Sequence, residues 1–345
     1  MTDIQLAYGE VFKSHRPPWA HPENPGRLGP LYAALACDEV LSLLPCLDPL
    51  PLADSSALRS FHTAECVDAL MALRGQAGWC DADTYYEPDS LLAALTAVGT
   101  TKELAKNIYS GKVRRGFALL RPPGHHARPT GPMGFCLFNN VGVAAATLLQ
   151  TYPSARIAIV DFDLHHGNGT QESFYESDRV LFLSSHRFPY YPGTGGMSEH
   201  GKGSGLGLTV NFPLAKAYAD PVLAAVYGRY ALPIVEAFRP DMILVSAGYD
   251  GHVGDPMQGF RLSTSFYAAL TEGLLSVAEE VCSGKILFCL EGGYSPEDLC
   301  ESVLASLSRF VTSPRQPFSP QLHFETQAET EVFLQELKPF FPELV

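Results

Sequence analysis

Short apolar runs punctuate the chain: "IQLAY" from residue 4, "GFALL" at 116–120, "RIAIVDFD" from 156, "VLFLSSH" at 180–186, "LTVNFPL" from 208, "MILVSAGYD" at 242–250 and "KILFCLEGGY" at 285–294. Most lack polar alternation, as strands of a parallel sheet buried on both faces do. Between them lie Ala/Leu-rich segments of helical character, such as "NNVGVAAATLLQ" from 139 and "PVLAAVYGRYALPIVEAF" from 221. Strand and helix take turns, which predicts an α/β layered fold. The N-terminal third is helical but broken by prolines, with "HRPPWAHPENPGRL" a shaped loop. After about Ser313 a Pro-containing link leads to "ETEVFLQELKPFF", an amphipathic closing helix. With no internal repeat and no long linker, residues 1–345 are expected to form one domain, its motif-bearing core at about 15–310 and a closing segment at 313–345.

Polar and glycine-rich residues follow the runs: "RPPGHHARPTGPMGF", "DLHHGNG", "YDGHVGDP" and "EGGY". In parallel sheets, sites form beyond the carboxyl ends of strands, so these four loops are expected to converge on one rim. Within "VDFDLHHG", a continued strand would point Asp161, Asp163 and His165 to one face. Desolvating such donors without a cation is costly, which suggests a metal.

Asp163 and His165 supply two ligands, and Asp250, at another strand end, a third. Two acids and one imidazole leave a tetrahedral zinc ion with an open position, the pattern of a catalytic site. His125 and His126 are the acid/base candidates, with Asp161 and Asn168 as groups able to fix their tautomers. Spacing alone does not decide which histidine is the base. If Asp161 holds His125 and Asn168 holds His126, His125 is biased towards imidazolium and His126 stays a neutral base. Tyr294, delivered by Gly292 and Gly293, is placed to donate to an oxyanion.

Composition narrows the classes. A hydrophobic fraction of 46% and a charged fraction of 18% belong to a globular chain with a sizeable core. The formal charge of −13 disfavours direct nucleic-acid binding. No apolar run is long enough to span a membrane and no secretory signal is evident, so a cytoplasmic protein is expected. The eight cysteines include no C-x-x-C pair, so they read as core residues rather than a thiolate zinc site.

The ordered series "HPENPGRL", "HTAECVDAL", "RPPGHHA", "GFCLFNN", "DFDLHHGNGTQ", "YPGTG", "SAGYDGHVGDP" and "LEGGY" resembles the histone deacetylase and acetylpolyamine amidohydrolase family. Asn168 in place of aspartate is similar to the class II and bacterial branch. The resemblance implies an arginase-like three-layer fold with an open, mainly parallel eight-stranded sheet. It implies one Zn2+ on Asp163, His165 and Asp250, with His126 as base and then acid. His125 becomes its electrostatic partner, Asp161 and Asn168 the orienters, and Tyr294 the donor to the substrate carbonyl. Gly134, Phe135 and Tyr191 would wall the acyl-lysine channel, Met257 would stand at its rim, Gly292 would be a further substrate-binding residue, and Arg27 would belong to an internal product channel. A structural monovalent cation, K+ or Na+, would lie by Asp161, Asp163, His165, Ser184 and Ser185.

The implied reaction is hydrolysis of an acyl-lysine, or a related acylated amine, by metal-activated water. Three rivals differ in their residues. A two-manganese ureohydrolase needs carboxylates where Gly167 and Gly248 stand. An acetylpolyamine deacetylase would favour an acid where Met257 follows "DP". A non-catalytic acyl-lysine-binding module would have lost Tyr294, His126 or a ligand. Neither the physiological substrate nor the oligomeric state is legible in the chain.

Overall fold

The computed structural model describes residues 3–312 together with positions 330, 331 and 335. The closing helix expected after Ser313 falls outside the described residues, those three positions excepted. Nine strands are present among the described residues: β1 (Ile4–Ala7), β2 (Gly78–Trp79), β3 (Tyr85–Tyr86), β4 (Arg115–Ala118), β5 (Ile157–Asp161), β6 (Val180–Arg187), β7 (Thr209–Leu214), β8 (Met242–Ala247) and β9 (Ile286–Leu290). Each apolar run of the sequence contributes one strand of a seven-stranded sheet, ordered β1-β4-β9-β8-β5-β6-β7. Every pairing in it is parallel. The family resemblance implied eight strands; among the described residues the sheet has seven, because each predicted run pairs and no further segment joins an edge. The antiparallel hairpin β2–β3 forms a separate sheet that the run pattern did not signal.

Strands β5, β8 and β9 are buried at every position, consistent with their unbroken apolar character. Helices cover the sheet in two packed groups. One contains Ser90–Tyr109 and Asn140–Thr151, the other Gly29–Cys37, Thr264–Cys282 and Pro296–Thr312. The second helix starts where Asn139 accepts a hydrogen bond from the Gly142 amide at 2.7 Å, satisfying an otherwise orphaned donor. The run from 221 is helical throughout, but Tyr227–Ala231 widens into a π turn between Asp220–Val226 and Leu232–Phe238. Tyr227, on that turn, brings its hydroxyl 2.7 Å from Ser185 Oγ.

The strand order locates the site. From β5 the chain builds outward through β6 and β7, then returns to place β8 on the other side of β5. This reversal opens a crevice beyond the carboxyl ends of β5 and β8. Asp161 stands in register with Ser184 on one side and Ser246 on the other, so the loop after it begins between two parallel neighbours.

Candidate active site

Strand β5 stops at Asp161. Asp163 and His165 therefore do not converge through continued strand alternation, as the sequence pattern suggested. A chain of side-chain-to-backbone hydrogen bonds does it: the Asp163 amide donates to Asp161 Oδ1 at 3.1 Å and the His165 amide to Asp163 Oδ1 at 2.8 Å. The Leu164 amide donates to Asp250 Oδ1 at 3.0 Å, tying the β5 loop to the β8 loop. One ligand atom each of Asp163, His165 and Asp250 then lies within 4.8 Å of the others, and all three residues are buried. His165 Nδ1 is 2.9 Å from Asp250 Oδ2 and 3.2 Å from Asp163 Oδ1.

The set suits a zinc ion. Two carboxylates and an imidazole, buried together, are a ligand chemistry that zinc takes with an open position. Backbone without side chains cradles them: a Cβ on Gly248 would stand 2.0 Å from Asp163 Oδ2, and one on Gly292 would stand 2.6 Å from the same atom. The Gly292 amide donates to Asp163 Oδ2 at 2.8 Å. Gly292, expected among the substrate-binding residues, lies against the ligands, where an added Cβ would also come 2.5 Å from Asp250 Oδ2.

The two histidines of the β4 loop take the partners considered from sequence. His125 Nδ1 lies 2.9 Å from Asp161 Oδ2, and His126 Nδ1 2.8 Å from Asn168 Oδ1. Their ring centroids are 4.0 Å apart. Burial opposes charge on both. For His125 the negative charges of Asp161 and then Asp163 overcome it, and its pKa rises to about 10. For His126 burial is reinforced by the charge of His125, and its pKa falls well below the ordinary value. The pair is thus differentiated by its partners.

A cavity of about 280 Å³ opens over this floor, lined by His126, Gly134, Phe135, His165, Tyr191, Met257 and Tyr294, with Asp83 and Tyr190. Gly134 sits at φ 56° and its missing Cβ would come 2.6 Å from the His126 ring, so glycine is needed there twice over. Tyr191 stands edge-on to His126 with centroids 5.1 Å apart, and Phe135 edge-on to Tyr294 at 5.8 Å. Arg27 caps the other face of Tyr294, its guanidinium 4.7 Å from the ring centroid, and donates to the Gly293 and Glu291 carbonyls at 2.5 Å each.

Several residues here were not singled out from sequence. Tyr190 stacks on His165 with centroids 5.5 Å apart and donates to the Met257 carbonyl at 2.9 Å. Asp255 accepts from the Tyr294 amide at 2.6 Å and the Met257 amide at 2.9 Å, joining two walls of the pocket. Glu291 accepts from the Gly124 amide at 2.6 Å and Ser246 Oγ at 3.0 Å, fixing the histidine loop. Glu23 binds Arg121 and Arg27 in full burial. Glu23, Asp255 and Glu291 lie inside quoted motifs, yet nothing local to them says what they would hold.

The proposed monovalent-cation residues are also buried together, but Ser184 Oγ pairs with His186 Nδ1 at 2.9 Å and Ser185 Oγ with Tyr227. Each hydroxyl oxygen keeps lone-pair capacity beside that one bond, so the serine hydroxyls and the neighbouring backbone carbonyls both offer oxygen donors on that side.

Comparison with known proteins agrees with this architecture. The histone deacetylase domain matches residues 21–310. Histone deacetylase 14, chloroplastic, of Arabidopsis thaliana is 46% identical over 221 residues, 63% of this chain and 52% of that protein. A probable deacetylase of Archaeoglobus fulgidus is 35% identical over 326 residues, 92% of this chain and 90% of its own length. A second plant relative, from Oryza sativa subsp. japonica, is also described as chloroplastic, and the match spans 45% of it. The chain thus spans about half the length of the two chloroplastic proteins, which differ in compartment from the cytoplasm expected of this chain. No helix among the described residues is long and apolar enough to cross a membrane. The crystal structure of the HDA15 HD domain superposes with a TM-score of 0.88 at 33% identity, covering 100% of this chain and 96% of that one. A domain match over residues 21–310, with an archaeal relative 35% identical across 92% of this chain, has one reading: this chain belongs to the histone deacetylase family.

Proposed function

We propose that the protein is a zinc-dependent amidohydrolase that removes an acetyl or other short acyl group from the side-chain amide of an acylated lysine. The observation carrying this reading is that the buried group Asp163, His165 and Asp250 shares His165 with an aromatic-walled cavity that His126 and Tyr294 also line. When bound there, zinc supplies Lewis acidity and a water of lowered pKa. Phe135 and Tyr191 flank the aliphatic stem and Gly134 lets it pass close to backbone. The Tyr294 phenol donates a hydrogen bond to the acyl oxygen as negative charge develops on it. His126 Nε2, its Nδ1 held by Asn168, takes the proton from the attacking water and returns it to the leaving amine nitrogen. His125, kept positive by Asp161, stabilises the same build-up of charge without moving a proton. A monovalent cation beside Asp161, Asp163, Ser184 and the carbonyls of His165 and Ser185 is part of this proposal, as a structural ion.

The test uses a capped acetyl-lysine with no neighbouring residues. Chelation is expected to abolish turnover, and one equivalent of zinc per chain to restore it, with metal analysis following in parallel. Full activity in the metal-free protein, or a requirement for two equivalents, refutes the reading.

A further inference from the structure

Beside the cavity mouth the surface carries an aromatic ledge. Trp19 and Trp79 stack with ring centroids 5.1 Å apart, and Trp19 is 62% exposed. Ring contacts and hydrogen bonds connect them to the channel wall. His21 lies 6.4 Å from Trp79 and 4.7 Å from Phe135, ring to ring, so only one ring separates the ledge from the channel wall. His21 Nε2 is 3.2 Å from the Asp83 carbonyl and Nδ1 3.1 Å from Glu23 backbone, which ties the N-terminal loop to the β2–β3 hairpin. Thr84 Oγ1 accepts from the Phe135 amide at 3.0 Å, which ties that hairpin to the channel.

Two acids follow Trp79 closely in the same hairpin segment. Asp81 is exposed on the hairpin, and Asp83 reaches the cavity itself. Asp81 Oδ1 accepts from the Asp83 and Thr84 amides at 3.0 and 2.6 Å, so the two carboxylates are held close. The Asp83 carboxyl is pushed up by partial burial and then by the charge of Asp81, strain that an approaching cation would relieve. Arg16, a basic side chain close in sequence to Trp19, is tied to the Lys13 carbonyl at 3.3 Å. A cation over an aromatic face with carboxylates nearby is a favourable arrangement, and rings already stacked in the free protein lose less freedom on binding.

We infer that Trp19 and Trp79, with Asp81 and Asp83, grip an arginine or lysine side chain lying two or three residues from the acyl-lysine of a peptide substrate. The spacing follows from the two ring-to-ring steps between Phe135 and Trp79, 4.7 and 6.4 Å, set against an extended chain rising about 3.4 Å per residue. This rests on the acyl-lysine reading and names its substrate class.

The experiment measures kcat/KM for acetyl-lysine peptides carrying Arg, Leu or Glu at each flanking position, with capped acetyl-lysine as reference. The zinc-loaded wild type is compared with Trp19→Ala and Asp81→Asn. Wild type is expected to favour Arg over Leu by about three- to thirtyfold, the span of cation–aromatic attractions, with Glu below Leu. Trp19→Ala should shrink the preference to about twofold while capped acetyl-lysine is processed as before. Asp81→Asn should weaken it and flatten its salt dependence. Equal rates for Arg and Leu flanks, a preference untouched in Trp19→Ala, or Trp19-dependent turnover of an acetylated diamine faster than any peptide overturns the inference. Should capped acetyl-lysine itself resist the zinc-loaded enzyme, the hydrolase reading fails instead, so the two failures are distinct.

Discussion

Exchanging Asn168 for aspartate changes one group beside His126 from a neutral amide to an anion. The site contains its own control, because His125 and His126 are both buried, with partners at 2.9 and 2.8 Å, and Asp161 is charged where Asn168 is not. His125 sits at about 10, whereas His126 sits well below its ordinary value. Taking charge centres about 4 Å apart and an effective dielectric of about 20, the new attraction is about 4 kcal/mol. At 1.36 kcal/mol per pH unit this sets a ceiling of about 3 units. Desolvating the new carboxylate takes part of it, so a rise of about 1 to 3 units is expected. The sign follows: His126 acts as a base only when neutral, and a raised pKa keeps it protonated to higher pH. The acid limb of kcat/KM against pH should therefore move upward, with activity regained on the alkaline side. Capped acetyl-lysine, assayed from pH 5 to 10 with zinc content checked at each point, reads this directly. Asn168→Ala separates charge from orientation, and should lower the plateau without raising the limb. An acid limb that stays in place in Asn168→Asp refutes the assignment of His126 as base.

Further outcomes follow from the same geometry. Tyr294→Phe removes the phenolic donor and should lower kcat about 10²- to 10³-fold with zinc content unchanged, and wild-type turnover in it rejects the oxyanion role. Gly248→Ala drives a methyl group to 2.0 Å from Asp163 Oδ2 and is expected to weaken zinc affinity by about tenfold or more, read by chelator competition alongside circular dichroism. Glu23→Gln leaves Arg121 and Arg27 without their shared buried anion and should lower unfolding stability by about 3–5 kcal/mol in urea titrations. Burial alone would raise Glu23, but Arg121 and the groups around it hold its carboxyl below the usual range. Its stabilisation is therefore present above the unfolded carboxyl value and lost as pH falls below about 4.5. Wild type should lose stability through that window, and Glu23→Gln should lose less.

Much of the fold was legible because its signals are local. Each of the runs from "IQLAY" to "KILFCLEGGY" carries enough contiguous apolar surface to demand burial on both sides, and that demand is the same wherever the strand lies in the sheet. The loops after β4, β5, β8 and β9 were readable for the same reason, since imidazoles and acids buried at strand ends are costly unless a partner or an ion satisfies them. Residue types alone were enough to nominate Asp163, His165, Asp250, the histidine pair and Tyr294.

Long-range placement was not legible. Strand order brings β8 back beside β5 across some eighty residues, and only that reversal sets Asp250 2.9 Å from His165. Asp163 and His165 were nominated by strand alternation, but the strand ends at Asp161, and a relay of amide-to-carboxylate bonds decides their aim. Tertiary packing alone sets Gly292 against the acids, its amide donating to Asp163 Oδ2 at 2.8 Å. Glu23, Glu291 and Asp255 act by holding backbone and side chains remote in sequence, so no window around them contains their partners. A residue's chemistry is carried by its own atoms and can be read one position at a time. Its neighbours in space are a property of the whole folded chain.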